Sequence, residues 1–232
     1  MDKGTIRKGV ILAGGNGTRL RPLTYSTNKH LIPVYNKAMV LYPLQTLLDM
    51  GIEDILIVTG GEHIGKFIDL LGSGAEYGCR FTYKVQDDAG GIAQALLLAE
   101  DFVKEQFAVV LGDNIFSEPV TPPVSGCGLV LKSVEDPNRF GVYFKGKIVE
   151  KPKEFLSSMA VTGLYFYTPE IFNFIKTLKP SNRGELEITD VNNWCIENLP
   201  TETKIYDGFW SDAGTFESLF RASEFMRNKN AK

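Results

Sequence analysis

The run Gly14-Gly15-Asn16-Gly17-Thr18-Arg19 places three glycines and a cation within six positions, a composition suited to gripping an anion. Glycines let the backbone approach a ligand closely and aim successive N–H groups at it, while the planar guanidinium of Arg19 forks onto phosphate oxygens. Arg21 and Lys29 follow nearby and add positive charge. The second candidate group is a carboxylate, Asp113, set between Gly112 and Asn114. It comes directly after the apolar run Phe107 to Leu111, so it should project from a strand end into the crevice where open α/β sheets hold ligands. Mg²⁺ uses one or two carboxylates together with phosphate oxygens and water, and Asp212 offers a second carboxylate. Plainer uses exist for each group: a glycine turn without a ligand, a turn aspartate at Asp113, a residue ahead of a helix start at Asp212 and a solvated lysine at Lys29.

Two common nucleotide motifs do not fit the glycine loop. A Walker loop ends in Gly-Lys-Ser/Thr, where this chain has Gly17-Thr18-Arg19, and a dinucleotide fingerprint needs a third glycine where Leu20 stands. No acidic residue lies near position 37 to hold a ribose, so a dinucleotide oxidoreductase is disfavoured.

These residues need elements to position them. Val10-Ile11-Leu12-Ala13, bounded by glycines, reads as a strand buried on both faces. Leu41, Leu44, Leu47, Leu48 and Met50 recur at helical spacing before Gly51, and Asp54 to Thr59 reads as the next strand. The alternation continues with a helix over His63 to Leu71, a strand over Arg80 to Gln86, a helix over Ile92 to Phe102 and a strand over Phe107 to Leu111. Such alternation predicts an α/β fold with a doubly wound, mostly parallel sheet. Beyond Asp113 the texture changes: 117 to 126 is rich in proline and serine and suits a loop, Cys127 to Val134 and Ala160 to Tyr167 read as strands, and Phe140 to Val149 as a hairpin turning at Lys145-Gly146-Lys147. Thr215 caps a final helix to Arg227, with Leu219, Phe220, Ala222, Ser223 and Met226 as its apolar face.

With 232 residues, of which 44% are hydrophobic and 23% charged, the chain suffices for one domain, 1–232. A net charge of −3 provides no basic field, so nucleic acid is not expected as a partner. Three widely spaced cysteines, Cys79, Cys127 and Cys195, indicate neither a disulfide framework nor a zinc site. The N-terminal apolar run is too short for a signal peptide, and no stretch approaches the ~20 residues of a membrane span, so no membrane is expected and the location expected is cytoplasmic.

The run Gly9 to Thr24, with Lys29-His30-Leu31-Ile32-Pro33-Val34 after it, resembles the signature of the sugar-1-phosphate nucleotidyltransferases, and within them the branch that couples dTTP to glucose-1-phosphate. Leu111 to Phe116, Glu150-Lys151-Pro152, Ala160 to Tyr165, Arg183 to Asp190 and Trp210 to Thr215 follow in the family's order, so the resemblance covers nearly the whole chain. It implies a Rossmann-like mixed sheet of the nucleotidyltransferase type, with a nucleotide-binding half over about 1–115 and a sugar-phosphate half over about 116–232. It implies Mg²⁺ as cofactor at Asp113 and Asp212, dTTP (or UTP) and glucose-1-phosphate as substrates, and dTDP-glucose and pyrophosphate as products.

By the same resemblance Arg19, Lys29 and Asp113 carry catalysis. Leu12, Gly14, Gly15, Asn16, Gly17, Thr18, Arg19, Gln86, Gly91 and Asp113 bind the nucleotide, with Gln86 and Gly91 at the base. Asn114, Gly141, Glu150, Lys151, Val161 and Arg183 bind the sugar phosphate. Arg183 could equally serve an ion pair within the fold, and Trp210 could floor the sugar site or fill core. The chain departs from the longer relatives in ending soon after the Asp212 motif, in the compact segment 117–126, in Phe140 where tyrosine is usual, and in Asp87-Asp88-Ala89-Gly90 after Gln86. Allosteric control by a nucleotide sugar is therefore not expected, and homo-oligomer assembly stays open. Uridylyl transfer is the alternative within the enzyme class, and a non-catalytic sugar-nucleotide sensor is the alternative outside it.

Overall fold

A computed structural model describes residues 6–231. Its first half runs β1 (Lys8–Ala13), β2 (Pro33–Val34), β3 (Lys37–Ala38), α1 (Leu41–Leu48), β4 (Asp54–Gly60), α2 (Ile64–Leu71), β5 (Arg80–Gln86), α3 (Ile92–Leu97), β6 (Phe107–Leu111) and β7 (Ile115–Phe116). The second half runs β8 (Cys127–Ser133), β9 (Gly141–Phe144), β10 (Lys147–Glu150), β11 (Met159–Tyr167), α4 (Ile171–Ile175), α5 (Ile188–Asn198), β12 (Thr201–Ile205), β13 (Trp210–Ser211) and α6 (Phe216–Asn230).

Nine strands form one mixed sheet in the order β10-β9-β11-β6-β1-β4-β5, with β8 also paired to β11 and β12 paired to β8. The strands β6, β1, β4 and β5 are mutually parallel. β11 then runs antiparallel to β6, and the β9–β10 hairpin runs antiparallel beyond it. From β1 the chain passes to β4 on one side and later returns to β6 on the other. The strand order reverses between β1 and β6, which opens a crevice at their carboxyl ends.

The apolar runs read from the sequence are buried on both faces because side chains of a strand alternate. Val10, Leu12, Leu56, Val58 and Val109 pack with α3, α4 and α5 on one side. Ile11, Ala13, Ile55, Ile57, Ala108 and Val110 pack with α1 and α2 on the other. Each such side chain contributes roughly 1.5–3 kcal/mol on burial, so the strands under the site are held by core on both sides.

Three expectations are corrected. The helix begun at Ile92 ends at Leu97, and turns carry the chain to Phe102. Before α2, residues Gly61–His63 form a 3₁₀ turn. In α6 the buried positions are Ser218, Ala222 and Met226, spaced four apart, while Phe220 is 66% exposed. The Thr215 cap is as expected, but its reciprocal partner is Ser218, whose Oγ accepts from the Thr215 N–H. Residues 117–126 form irregular loop, and α4, α5, β12 and the β7–β13 ladder add to the elements expected.

Candidate active site

The loop after β1, the turn after β6 and the second half of the chain meet around one cavity of about 790 Å³. Leu12, Gly14, Gly15, Thr18, Arg19, Lys29, Gln86, Gly91 and Asp113 line it from the parallel half. Gly141, Glu150, Lys151, Val161 and Arg183 line it from the second half of the chain, and Asn114, next to Asp113, and Asp212 line it as well. Asn16 and Gly17 do not. The Gly17 carbonyl turns inward to accept from the Leu20 N–H (2.9 Å) and the Thr24 hydroxyl (2.8 Å), which closes the 3₁₀ turn Thr18–Leu20, and Asn16 is exposed.

Asp113 is nearly buried, and both carboxylate oxygens are engaged. Lys29 Nζ donates to Oδ2 at 2.6 Å, and Asn114 Nδ2 donates to Oδ1 at 2.9 Å. Burial alone would push the carboxyl up, but the Lys29 ammonium and the two hydrogen bonds outweigh it and hold the pKa below the usual carboxylate range. The group is therefore an anion at neutral pH. Asn114 is itself fixed, because its Oδ1 accepts from the Gly163 N–H (2.8 Å) and from the Trp210 indole N–H (2.7 Å). With Oδ1 committed to those two donors, Nδ2 must face Asp113. Trp210 packs in the core and also lines the cavity, so both of its expected uses are present.

Asp212 follows β13, whose pairing with β7 (Ser211 opposite Ile115) brings it to the turn that carries Asp113 and Asn114, and it accepts from Arg139 Nη2 at 3.3 Å. Ala213, next in sequence and fully buried, has φ 38°, and Lys151 has φ 40°. A left-handed backbone at non-glycine residues costs on the order of 1–3 kcal/mol, and here it lies at one candidate site residue, Lys151, and directly after another, Asp212. Arg19 reaches the same region: a Cβ on Gly214 would fall 2.9 Å from its Nη2, so the glycine leaves room for the guanidinium.

The two carboxylates suit Mg²⁺ by their chemistry. Among the described residues no group of three or more His, Cys, Asp or Glu forms a metal cage. Mg²⁺ does not need one, since it binds through one or two carboxylates and completes its shell from phosphate and water.

Across the cavity, Glu150 ends β10 and is held from two directions. Thr189 Oγ1 donates to its Oε2 at 2.6 Å, and Arg183 Nη2 lies 3.4 Å from its Oε1. Arg183 also forks onto Glu187, at 3.1 Å and 2.6 Å, so it serves an ion pair within the fold while lining the cavity. Gly91 opens α3 at φ 100°, and a Cβ there would strike the Leu186 carbonyl at 2.6 Å; only glycine joins the two walls this closely.

Sequence reasoning missed Arg139, His30, Tyr165, Glu185 and Thr189, all of which line the cavity. His30 is buried, and burial together with Lys29 pushes its pKa down to about 3, so it stays neutral. Arg139 stands two residues ahead of Gly141, and Thr189 lies inside the Arg183 to Asp190 motif. Proximity to those motifs was the available signal.

Residues 8–229 match the family model described as nucleotidyl transferase. The chain belongs to the nucleotidyl transferase family. It is 43% identical over 237 residues to the glucose-1-phosphate thymidylyltransferase of Neisseria meningitidis, covering 95% of this chain and 82% of that one. It is 42% identical to the enzyme of the same name from Mycolicibacterium smegmatis over 236 residues, with the same coverage. Among solved structures, a candidate glucose-1-phosphate thymidylyltransferase from Bacillus anthracis, in complex with a sucrose, superposes with a TM-score of 0.90 at 50% identity over 95% of each chain. A UDP-glucose pyrophosphorylase complexed with UDP-glucose superposes with a TM-score of 0.83 at 25% identity, over 97% of this chain and 99% of that one. The family's α/β fold, with parallel central strands inside a mixed sheet, is the one described above. No helix among the described residues is long and apolar enough to cross a membrane.

Proposed function

We propose that the chain transfers the thymidylyl group of dTTP to glucose-1-phosphate, forming dTDP-glucose and pyrophosphate. The observation that carries this reading is the meeting, around one cavity, of a glycine loop with Arg19 and Lys29, an ionised Asp113, and the Glu150, Lys151 and Arg183 cluster. One wall suits a triphosphate and the other a phosphorylated sugar. Five relatives at 42–43% identity carry the glucose-1-phosphate thymidylyltransferase name.

In this reading a phosphate oxygen of the sugar phosphate attacks the α-phosphorus in line with the departing pyrophosphate, and the protein's work is positioning and charge management. The backbone amides of the glycine loop cradle the triphosphate, and Arg19 and Lys29 stabilise charge that builds on the leaving group. Lys151 holds the sugar phosphate, and Glu150, fixed by Thr189, accepts from sugar hydroxyls. Asp113 and Asp212 would hold Mg²⁺, whose charge, when bound, offsets that of the phosphate oxygens. Gln86 and Gly91 face the base, and the Gln86 amide offers one donor and one acceptor to a pyrimidine edge.

Uridylyl transfer is the second reading, favoured by the structural likeness to a UDP-glucose pyrophosphorylase and by the fact that such an amide reads uracil as well as thymine. Pyrophosphate release with Mg²⁺ and glucose-1-phosphate, run in parallel with dTTP, UTP, CTP, ATP and GTP, separates the two. The highest kcat/KM with dTTP is expected; the highest with UTP would establish the second reading, and silence with every nucleotide and every sugar phosphate would favour a binding protein over an enzyme.

A further inference from the structure

Gln86 ends β5 at the cavity, and its side-chain amide is not free to turn. The Gly90 N–H donates to Gln94 Oε1 at 2.9 Å. A backbone N–H can only donate, so the atom it meets on Gln94 must be the oxygen. The same oxygen lies 3.1 Å from the Gln86 amide, and the Gln86 atom facing it must therefore be Nε2. Gln86 Oε1 is then directed the other way, over Gly14, where a Cβ would fall only 2.4 Å from it. One backbone donor thus sets the orientation of two carboxamides in series. Gln94 does not itself line the cavity; it sits half-buried on α3 behind Gln86.

We propose that Gln94 is a positioning residue that sets base specificity by locking the Gln86 amide in one orientation. This rests on the reading above that Gln86 faces the nucleobase. Thymine and uracil present a donor at N3–H flanked by carbonyl acceptors. A Gln86 amide with Oε1 and its second Nε2 hydrogen toward the cavity matches that pattern. Cytosine presents an acceptor at N3 and a donor at its exocyclic amine, which calls for the flipped amide. A freely rotating glutamine would accept either base at the cost of one bond rotation. With Nε2 committed to Gln94, the flip would set Gln86 Oε1 against Gln94 Oε1 and leave two acceptors facing each other, so the cytosine pairing is refused.

The test is kcat/KM for dTTP and for CTP, with glucose-1-phosphate and Mg²⁺, in the wild type and in Gln94→Leu, Gln94→Asn and Gln94→Glu, with Gln86→Leu as reference. Gln94→Leu removes the acceptor and Gln94→Asn draws it back by one methylene, so either should lower the dTTP-to-CTP ratio by about tenfold or more, chiefly through a fall in KM for CTP. Gln94→Glu keeps an acceptor toward both donors and should retain most of the discrimination, a rescue that a merely structural residue would not show. A wild-type ratio in Gln94→Asn and in whichever of the other variants folds, alongside a collapsed ratio in Gln86→Leu, would overturn the lock while leaving the base assignment intact. An unchanged ratio in Gln86→Leu as well would remove the base assignment and the lock together.

Discussion

The parallel strands β5-β4-β1-β6 and the antiparallel strands β11-β9-β10 supply the cavity with residues by different routes. In the parallel part Gly14, Gln86 and Asp113 stand at or just beyond the carboxyl ends of strands, so the sheet itself aims them, and buried core on both faces of β1 and β6 keeps the ends that carry Gly14 and Asp113 still. In the antiparallel part Glu150, Lys151 and Arg183 come from strand ends, turns and loops that point in several directions, and side chains hold them: Thr189 on Glu150 and Glu187 on Arg183. At the first wall strand ends set the places and side chains fix only the terminal groups of Asp113 and Gln86, whereas the second wall depends on a polar network between elements distant in sequence. Change at the first wall should therefore act on the chemical step, and change at the second on sugar-phosphate affinity.

The largest effect is expected at the first wall. Asp113→Asn keeps the shape but removes the anion that faces Lys29, and pyrophosphate release should fall by about 10³-fold or more with the far-ultraviolet circular dichroism of the folded protein retained. Wild-type turnover in that variant would break the distinction. Trp210→Phe removes one of the two donors that set Asn114 behind Asp113, and kcat should drop by about tenfold while KM for both substrates moves little. At the second wall, Thr189→Val frees Glu150, and KM for glucose-1-phosphate should rise by roughly tenfold with KM for dTTP unmoved. A matching change in both KM values would show that the walls are not separate.

His30 sharpens the contrast through stability rather than rate. Its folded pKa of about 3 lies below the 6.5 of a free imidazole, so between those values the unfolded chain takes up a proton that the fold refuses. The contribution of this group to stability falls by about 1.4 kcal/mol for each pH unit below 6.5. Urea unfolding at pH 7 and pH 5 should show a shallower loss in His30→Gln than in the wild type. The smallest effect is expected far from both walls, where Phe220→Ser on the exposed face of α6 should change stability by less than about 0.5 kcal/mol.

The contrast also explains what could be read from the residues alone. Val10 to Ala13, Asp54 to Thr59 and Phe107 to Leu111 carry their pattern locally, because a parallel strand buried on both faces is a short apolar run closed by a turn, and the half-exposed edge strand Arg80 to Gln86 is marked by its aromatic and β-branched residues. Gly14, Gln86 and Asp113 followed from those strand ends once the family's motifs were matched. Arg139 and Thr189 did not, since their roles come from partners 73 and 39 residues away that no local pattern marks. Phe220 was misplaced for a related reason: α6 turns its small residues Ser218 and Ala222 inward, so the larger apolar side chain is left outside. Gly17 belongs to the motif, and its inward carbonyl, which accepts from Leu20 and Thr24, is visible only in the fold.

The most direct test of the two-walled account is a crystal structure of the protein with dTDP-glucose and Mg²⁺. The account predicts the thymine at Gln86 and Gly91, the diphosphate between the glycine loop and Asp113, and the hexose against Glu150 and Val161. A product bound with the hexose on the glycine loop, or outside this cavity, would contradict it.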